Sequence, residues 1–364
     1  MIIEKNNGKK ALCQNQRILS DSTPSCHEIG SEFWCVPVLE HRNDFFPKTT
    51  RWYLSGRSAL QAIVKELLVK GKKSVAMPSW CCDSMIKPFV DAGMEVSFYP
   101  VYSDKVFNQD INTDCDVLFR MDYFGYTGDV AVSHPCVVRD VTHSVFSRNY
   151  SDADYYFGSL RKWCGVWTGG FVWTNDGQQV AIADGDDNDY ILLRKKAMEM
   201  KDCYINGVPD ATGNKIFDKS YLSVYNEAEE LLEDIGIAAA SDRDVKCAQT
   251  LDIAFIKSRR RKNANVLMQA FAEQLIFPSL KETDCPMFVP ILVPGGKRNA
   301  LRRFLIDHEI YCPVHWPVSP YHKLQKGPET DLYDNELSLV CDQRYTEQDM
   351  FRIVETIHEF WKEN

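Results

Sequence analysis

The chain has 364 residues, 45% of them hydrophobic, and this length predicts either two domains or one large α/β unit with an appendage. Its formal net charge of −9 argues against nucleic acid as the main partner, because nucleic-acid-binding proteins usually carry a basic excess. The first residues lack the layout of a signal peptide, and no apolar run approaches about 18 residues, so we expect a cytoplasmic protein that does not enter the membrane.

The 13 cysteines are scattered, with one adjacent pair at Cys81 and Cys82 and no C-x-x-C motif. In a chain without a secretion signal, such cysteines are expected to be reduced and buried. Neither they nor the eight histidines fall at the spacings of zinc ligands, so we predict no structural metal.

From residue 51 onward, short apolar runs alternate with helical patterns. Apolar residues at helical spacing predict a helix over 58–71, and a second helix is predicted over 84–93. The predicted strands of this part are 74–78, 95–101, 116–124, 135–140 and 169–174. This alternation predicts a mostly parallel sheet flanked by helices, which binds ligands at the carboxyl ends of its strands.

The pattern changes after about residue 200 and predicts a smaller α+β domain. The elements predicted there are one long helix over 244–275, a strand over 285–293, and helices over 298–310 and 345–361. We therefore divide the chain into an N-terminal segment (1–50), a large α/β domain (51–240) and a small C-terminal domain (241–364).

Two candidate sites lie where strands and helices of the large domain meet. In SGRSAL (55–60), the amides of Gly56, Arg57 and Ser58, with the Ser58 hydroxyl, would converge at a helix N-terminus and bind an anion; the alternative is an ordinary N-cap at Ser58. In VVRDVTHS (137–144), Asp140 ends an apolar strand, where a buried carboxylate needs a cationic or N–H partner. His143 could face the same pocket, and the alternative is a loop capped by the aspartate.

The third candidate is GSLRKWCGVWTGG (158–170), which places Lys162 among apolar residues and before Gly169 and Gly170. An apolar, partly dry setting would disfavour the ammonium form and favour attack on a carbonyl. The glycines would let the backbone pass close to a bulky ligand. The sequence contains neither G-K-[ST] nor G-x-G-x-x-G, which weakens nucleotide and dinucleotide alternatives.

Together the three sites match the needs of pyridoxal 5'-phosphate (PLP). This cofactor requires a phosphate seat, an aspartate that keeps its pyridine nitrogen protonated, and a lysine that forms a Schiff base with its aldehyde. The protonated ring nitrogen is necessary because only then does the ring withdraw electrons from the substrate carbanion.

From about residue 51 to the C-terminus, the chain resembles the DegT/DnrJ/EryC1/StrS family of PLP-dependent sugar aminotransferases. The segments that carry the resemblance are LSGRSALQAI, VAMPSWCCDSMIKPFVDAGMEVSFYPV, MDYFGYTGDV, VVRDVTHSVF, SLRKWCGVWTGG and the tail from IYCPVHWPVSPYHK onward. The resemblance implies a fold-type I PLP-transferase, with a mostly parallel sheet flanked by helices and a smaller C-terminal α+β domain.

The resemblance also implies residue roles. Lys162 would form the Schiff base and then move a proton between the substrate α-carbon and the cofactor, Asp140 would pair with the pyridine nitrogen, and His143 would contact the ring or its phenolic oxygen. The phosphate would be held by Gly56, Arg57, Ser58 and Ser159.

The chain departs from the family pattern at three positions near the implied cofactor. Arg57 replaces the usual serine or threonine, and Phe157 replaces a common phosphate-binding serine. Cys82 stands nearest the position of the aromatic residue that stacks on the ring, so Trp80 is the alternative stacking residue.

Three further sets of residues have two possible roles each. The segment KSRRRK (257–262) would be a solvated helix face that meets a partner subunit, or a substrate-phosphate site. His315 and Trp316 would pack in the core or line the substrate entrance. Tyr123 would pack at a strand end or donate a hydrogen bond near the cofactor.

The resulting prediction is an aminotransferase with ping-pong kinetics. The expected amino donor is glutamate, and the expected acceptor is a keto or aldehyde compound such as a nucleotide-linked keto sugar. The family implies a two-fold homodimer in which a loop of the second chain reaches the phosphate. One alternative is a PLP-dependent sugar dehydratase, in which histidine typically replaces the lysine; another is a catalytically idle scaffold that binds a sugar nucleotide or a protein.

Overall fold

The computed structural model describes residues 16–17, 28–104, 106–111, 114–128, 132–147, 152–177, 180–181, 185, 188–207, 209, 213, 218–322 and 328–363. The strands in these ranges are β1 (Gln16–Arg17), β2 (Ile29–Gly30), β3 (Val36–Pro37), β4 (Arg51–Tyr53), β5 (Ser74–Pro78), β6 (Glu95–Tyr99), β7 (Val101–Asp104), β8 (Val106–Gln109), β9 (Val117–Met121), β10 (Val137–Asp140), β11 (Tyr155–Ser159), β12 (Gly170–Thr174), β13 (Phe288–Leu292), β14 (Ile310–Tyr311) and β15 (Glu336–Val340). The helices are α1 (Gly56–Val69), α2 (Asp83–Asp91), α3 (Asn188–Asn206), α4 (Tyr221–Leu231), α5 (Asp242–Ala248), α6 (Ile253–Ala270), α7 (Arg298–Asp307), α8 (Pro328–Asn335) and α9 (Glu347–Glu363), with a short 3₁₀ helix at Leu160–Lys162.

A seven-stranded sheet forms the centre of the fold, in the order β4-β12-β11-β10-β9-β5-β6. The five strands β11, β10, β9, β5 and β6, in this order across the sheet, run parallel to one another. Strand β12 is antiparallel to both of its neighbours, β11 and β4. Strands β9, β11 and β12 are buried along their whole length, as expected for a sheet that is covered on both faces. The predicted mostly parallel α/β sheet is therefore confirmed.

The antiparallel direction of β12 decides which chain segments meet. Both β4 and β11 are antiparallel to β12, so they run in the same direction as each other. The carboxyl end of β4 therefore lies at the same edge of the sheet as the carboxyl ends of β11 and the strands parallel to it. The N-terminus of α1 follows β4 at this edge, and α1 packs against β11 and β12.

The C-terminal part contains a two-stranded antiparallel sheet, β13 with β15, and the helices α6, α7 and α9 that contact one another or this sheet. Strand β2 near the N-terminus pairs with β14, and one cluster of buried hydrophobic residues extends from the central sheet into this C-terminal part.

The helix predicted over 244–275 is wrong in one respect, because it is divided into α5 and α6. Asp252 separates the two: its carboxylate accepts a hydrogen bond from the Phe255 amide (2.9 Å) and caps α6. Such a cap starts a new helix because the side chain replaces the missing carbonyl of a preceding turn. Elements that the sequence patterns did not predict include β4, β8, β11, β14, β15, α3, α4 and α8.

Eight cysteines are buried, and no disulfide bond joins those in the described ranges; the buried ones are Cys35, Cys81, Cys136, Cys164, Cys247, Cys285, Cys312 and Cys341. Among the described residues, no helix has both the length and the apolar character that crossing a membrane requires.

Candidate active site

The candidate residues meet at one edge of the central sheet. Asp140 is the last residue of β10, and it lies opposite Phe157 on the neighbouring parallel strand β11. Strand β11 ends at Ser159, and Lys162 closes the 3₁₀ helix that follows. The carboxyl ends of parallel strands are the usual ligand-binding edge of such a sheet, so the structure brings the predicted carboxylate and lysine to the expected place.

Asp140 is a buried carboxylate, with 1% of its surface exposed. Its Oδ1 accepts a hydrogen bond from the Thr142 amide (2.7 Å), and no ion pair with it occurs among the described residues. Burial raises the pKa of Asp140 to about 7, against the opposing effect of Thr142. A carboxyl group with this pKa binds a proton near neutral pH and can give it to a basic ligand atom.

His143 is also buried, and its Nδ1 accepts a hydrogen bond from the Phe124 amide (3.3 Å). Burial and the nearby Lys162 ammonium group lower the pKa of His143 to about 3. The imidazole is therefore neutral at pH 7, and because Nδ1 is an acceptor, Nε2 carries the proton. The effect of Lys162 places its charge within electrostatic reach of His143.

Lys162 differs from the sequence-based prediction of an apolar, partly dry amine, because its side chain is exposed. The apolar residues next to it in sequence, Trp163 and Cys164, are buried in the core instead of surrounding the amine. Lys162 also lies within electrostatic reach of Glu32 and Glu229. Burial, the largest single effect, raises the pKa of both carboxyl groups, but neighbouring cations that include Lys162 lower it below its usual value. The single chain thus presents this amine to an open, polar cleft.

The turn before α1, where the sequence predicts an anion site, has a different arrangement of hydrogen bonds from the predicted one. The N-cap is Ser55, whose Oγ accepts a hydrogen bond from the Ser58 amide (3.1 Å), and the Ser58 hydroxyl donates to the Gly236 carbonyl (2.8 Å). Ser58 is therefore already hydrogen-bonded through both groups. The Arg57 guanidinium pairs with Glu233 (3.0 Å), away from the helix N-terminus.

The amides of Gly56 and Arg57 make no hydrogen bond to the part of the chain that the structure describes. Ser159 lies beside them, because a Cβ atom on Gly56 would be only 3.3 Å from the Ser159 Cβ. Two amides at a helix N-terminus and one neighbouring hydroxyl are a suitable group of donors for a phosphate.

The glycine pair after Lys162 lies where two backbone segments of the protein pass close to each other. A Cβ atom on Gly170 would lie 2.0 Å from the Ser55 carbonyl oxygen, so this glycine lets β12 pass against the turn that begins α1. Gly169 has a φ of 126°, in the region that favours glycine. Gly170 is therefore required for the close approach of two backbone segments.

Trp80 lies in the core, which contradicts the suggestion that it stacks on a ligand. It is 0% exposed, its ring is stacked on Tyr123 (centroids 5.1 Å apart), and its Nε1 donates to the His315 carbonyl (2.8 Å). Tyr123 packs at the strand end, and its hydroxyl donates to the Trp80 carbonyl (2.7 Å). Cys82 is only partly buried and lies within electrostatic reach of both Lys162 and Asp140.

A cleft of about 440 Å³ extends from Lys162, and its lining carries more positive than negative charge. The charged residues on it are Arg161, Lys162, Arg194, Arg260, Arg302 and Arg344, with Glu32, Glu229 and Asp342. His315 also lines it, whereas Asp140, His143 and Gly56 do not. Trp316 stacks on His143, with ring centroids 5.7 Å apart.

The KSRRRK segment is not the solvated face that the charge run predicts. Arg260 is 1% exposed, and its guanidinium donates to Gln343 Oε1 (2.7 Å) and to the carbonyls of Pro286 and Met287. The same guanidinium lies over the Trp163 ring at 4.3 Å, while its Nη2 has no hydrogen-bond partner. Arg259 is buried as well.

Sequence patterns missed several charged residues of the cleft. Arg161 pairs with Glu229 (2.9 Å), and Arg344 pairs with Asp342 (2.8 Å). The helical spacing of YLSVYNEAEEL could have indicated α4, which carries Glu229, but not that this helix would pack beside the residues around Lys162.

No family model matches the chain, and no curated protein matches it significantly. Solved structures with similar folds include the putative sugar aminotransferase Spr1654 of Streptococcus pneumoniae in its PLP form, with 16% identity, a TM-score of 0.54, and coverage of 85% of this chain and 86% of that one. Another is PseC of Helicobacter pylori, an aminotransferase of pseudoaminic acid biosynthesis, with 14% identity, a TM-score of 0.57, and coverage of 86% and 87%. A third is a DegT DnrJ EryC1 StrS aminotransferase of Brucella abortus, with 16% identity, a TM-score of 0.51, and coverage of 85% of both chains. The chain therefore has the fold-type I architecture of these enzymes.

Proposed function

We propose that this protein is a PLP-dependent aminotransferase that acts on a sugar or a related keto compound. The observation that carries the proposal is a buried carboxylate, Asp140, which has no cationic partner in the described chain and ends the strand next to the one that leads to Lys162. A buried carboxylate of this kind is costly unless a cation or proton accompanies it. A protonated pyridine nitrogen would supply that partner.

The residues at the sheet edge fit the cofactor in three respects. The amides of Gly56 and Arg57 with the Ser159 hydroxyl can receive the phosphate, Asp140 can receive the ring nitrogen, and Lys162 Nζ can bond the aldehyde carbon. When bound, PLP supplies an aldehyde that reacts with amines and a ring that withdraws electrons from the carbon attached to the bonded nitrogen.

The chain's own residues then hold or move protons at defined atoms. The pKa of Asp140, raised by burial to about 7, lets its carboxyl group carry a proton near neutral pH and present it to the ring nitrogen. His143, neutral with its proton on Nε2, can donate a hydrogen bond to an oxygen on the ring. Lys162 Nζ, once released, can take up and return a proton at the substrate α-carbon.

Charge in the cleft supports anionic substrates. The chain as a whole has a net charge of −9, yet six cationic side chains and three carboxylates border the cleft. Arg260 is suited to a carboxylate because all its own acceptors are neutral and its Nη2 has no partner. These features support an amino acid donor such as glutamate and an acceptor that carries phosphate, such as a nucleotide-linked keto sugar.

The exposure of Lys162 supports a homodimer. A reactive amine and a charged cleft that are open to water in one chain require a further covering to exclude solvent. A second copy related by two-fold symmetry is the usual way to supply it.

Two alternatives to an aminotransferase are a sugar dehydratase, which would use the same cofactor, and a scaffold that catalyses no reaction. A sugar dehydratase of the family typically has histidine in place of the lysine, and Lys162 therefore favours transamination. An idle scaffold would bind a sugar nucleotide or a protein without reacting.

The proposal is tested by adding PLP and then L-glutamate to the purified protein. We expect a visible absorption band that the amino donor bleaches, with release of the 2-oxo acid, and a panel of keto sugars would then identify the acceptor by mass spectrometry. A protein that binds no PLP, or that binds it without reacting with any amino donor, would contradict the proposed function.

A further inference from the structure

Two side chains, His315 and Ser338, link the cleft to the buried carboxyl group of Glu336 in the C-terminal sheet. His315 lines the cleft, and its Nδ1 lies 2.9 Å from the Ser338 Oγ. Ser338 Oγ lies 2.5 Å from Glu336 Oε1. The second carboxylate oxygen, Glu336 Oε2, accepts a hydrogen bond from the His315 amide (2.7 Å). Glu336 and Ser338 are both 0% exposed, so the chain of groups leads from the cleft to a dry interior.

The second imidazole nitrogen of His315, Nε2, remains able to form a hydrogen bond with a ligand in the cleft. His315 Nε2 makes no hydrogen bond to the described part of the protein, while Nδ1 is held by Ser338. Phe288 and Phe124 rings lie beside the imidazole at 5.2 Å and fix its plane. The hydrogen-bonding character of Nε2 therefore depends on which way the protons lie along the chain.

The hydrogen-bonded series of His315, Ser338 and Glu336 has two consistent arrangements of protons. If Glu336 is ionised, Ser338 donates to Glu336 and accepts from Nδ1–H, so that Nε2 of His315 is a bare acceptor. If Glu336 is protonated on Oε1, it donates to Ser338, which in turn donates to Nδ1, so that Nε2 carries the proton. The two arrangements differ by one proton, and the imidazole is neutral in both.

We propose that Glu336, Ser338 and His315 form a proton relay. In it, His315 takes up a proton from the cleft at Nε2, its Nδ1 proton passes to Ser338 Oγ, and the Ser338 hydroxyl proton passes to Glu336 Oε1. The reverse movement returns the proton to the cleft. Ser338 and Glu336 are positioning residues in this relay, because they act on a ligand only through His315.

The electrostatics explain why a relay is needed. Burial, with His143 and Lys162, lowers the pKa of His315 well below its usual value, so the imidazole alone does not become a cation near neutral pH. Burial raises the pKa of Glu336 to about 8, against the opposing effects of the His315 amide, Ser338 and Arg298. A proton that enters at His315 is therefore stored on Glu336, and the relay changes state near the pKa of that carboxyl group.

The titratable and charged groups near His315, Ser338 and Glu336 come from several elements. Arg298 and Arg302 belong to α7, Glu336 belongs to β15, His143 follows β10, Lys162 follows β11, and Cys312 and Asp334 precede β15. Of these, Arg298 lowers the pKa of Glu336, and its removal should move the change of state to higher pH.

At neutral pH the relay presents Nε2–H of His315 to the cleft. The ligand atom that it fits is an oxygen with a lone pair and no proton, such as a carbonyl or phosphoryl oxygen. The identification of that oxygen with the keto acceptor rests on the proposed function, whereas the relay itself does not.

The relay is tested by nitrogen NMR of the full chain labelled with ¹⁵N-histidine, recorded from about pH 6 to about pH 10, since ring nitrogen shifts distinguish the two neutral tautomers. The signal of His315 is assigned by its absence in His315→Asn. We expect a change from Nε2–H to Nδ1–H as the pH rises, with a midpoint near the Glu336 pKa of about 8 and no imidazolium form.

Two variants of the relay make the test specific. In Glu336→Gln, the glutamine side-chain oxygen must accept the hydrogen bond from the backbone N–H of His315, so the glutamine side-chain nitrogen faces Ser338 and donates to its hydroxyl oxygen. Ser338 then donates to His315 Nδ1, which keeps His315 in the Nε2–H form at every pH. In Ser338→Ala, the connection is broken and the tautomer no longer follows Glu336. Glu32→Gln, which changes a carboxylate of the same cleft outside the relay, should keep the transition.

A His315 tautomer that is constant in the wild-type chain, or that changes with the same midpoint in Glu336→Gln or Ser338→Ala, would overturn the relay. If Glu336→Gln does not fold, the wild-type and Ser338→Ala spectra still decide. Because the NMR measurement requires no cofactor and no turnover, its failure is separate from failure of the proposed aminotransferase reaction.

Discussion

Asp140 and Lys162 emerge at the same edge of the central sheet, from the ends of two neighbouring parallel strands. Asp140 ends β10, and Lys162 lies on the 3₁₀ helix that begins after β11. Both side chains act on the pKa of Cys82, which burial raises: Lys162 lowers it and Asp140 raises it. This arrangement is the geometric basis of the proposed cofactor site, because it brings the Asp140 carboxylate and the Lys162 amine to the same edge of the sheet.

Replacing Asp140 by asparagine should change how stability depends on pH in the cofactor-free protein. The pKa of Asp140 is raised from 3.8 to about 7, chiefly by burial. The stabilisation from its bound proton is therefore complete below about pH 4 and is lost as the pH rises through about 7, which corresponds to about 4 kcal/mol. Asp140→Asn removes this loss, and urea unfolding of both proteins at several pH values measures the difference.

The matched control for that experiment is Asp152→Asn, which changes a carboxylate that pairs with Arg120 at 2.6 Å and is not among the groups that raise the pKa of Asp140. It should leave the Asp140-dependent loss in place. Equal pH dependence in wild-type protein and Asp140→Asn would contradict the buried, protonated state of Asp140. With PLP present, Asp140→Asn should also bind the cofactor more weakly and lose most of its activity.

Gly170→Ala should destabilise the protein and weaken the anion site. The new Cβ would lie 2.0 Å from the Ser55 carbonyl oxygen and 3.0 Å from the Gly56 nitrogen, so β12 and the start of α1 must move apart. We expect a loss of at least about 3 kcal/mol in the free energy of unfolding, the upper range of overpacking effects. Thermal or urea unfolding measures it, and PLP titration measures the expected loss of phosphate binding.

Gly236→Ala is the control for this substitution, because its added Cβ would meet no atom within 4 Å. Its stability should remain within about 1 kcal/mol of the wild-type value. If Gly170→Ala were as stable as Gly236→Ala, the close packing of β12 against the α1 turn would be incorrect.

Arg260→Met should weaken the binding of carboxylate-bearing amino donors. The Arg260 guanidinium is held by neutral acceptors and leaves Nη2 without a partner at the cleft. Hydrogen bonds to charged groups are worth about 1.5–3 kcal/mol, so the KM for such a donor should rise about 10- to 100-fold. An amine donor without a carboxylate should react as it does with the wild-type protein.

Arg259→Met controls for damage to helix α6, because Arg259 is also buried but does not line the cleft. It should leave the preference between the two kinds of donor unchanged. Equal effects of Arg260→Met on both kinds of donor would indicate a structural role for Arg260.

Local sequence signals predicted the sheet well. The apolar run SVAMP was predicted as a strand over 74–78, and β5 has these bounds, because a buried parallel strand is a short, continuously apolar run. Asp140 was placed correctly at a strand end, and the predicted helix start near Ser58 corresponds to α1, which begins at Gly56. The capping residue was misjudged by three positions, since both Ser55 and Ser58 are good caps and only the fold selects between them.

The environments of charged side chains could not be predicted from their neighbours in sequence. Lys162 is surrounded in sequence by apolar residues, but in a 3₁₀ helix successive side chains point in different directions, so Trp163 is buried and Lys162 is exposed. Arg260 lies in a run of charges that predicts a solvated face. Its burial depends on the carbonyls of Pro286 and Met287, which no local pattern reveals.

The most direct test of the account identifies the amine that holds the cofactor. Lys201 is the informative competitor, because it is 0% exposed and burial lowers its pKa to about 8, which makes it the described lysine that best fits a dry, reactive amine. The protein is incubated with PLP, reduced with borohydride, digested and mapped by mass spectrometry. The account predicts that the label is on Lys162 and is absent in Lys162→Ala; a label on Lys201, or none on any lysine, would contradict it.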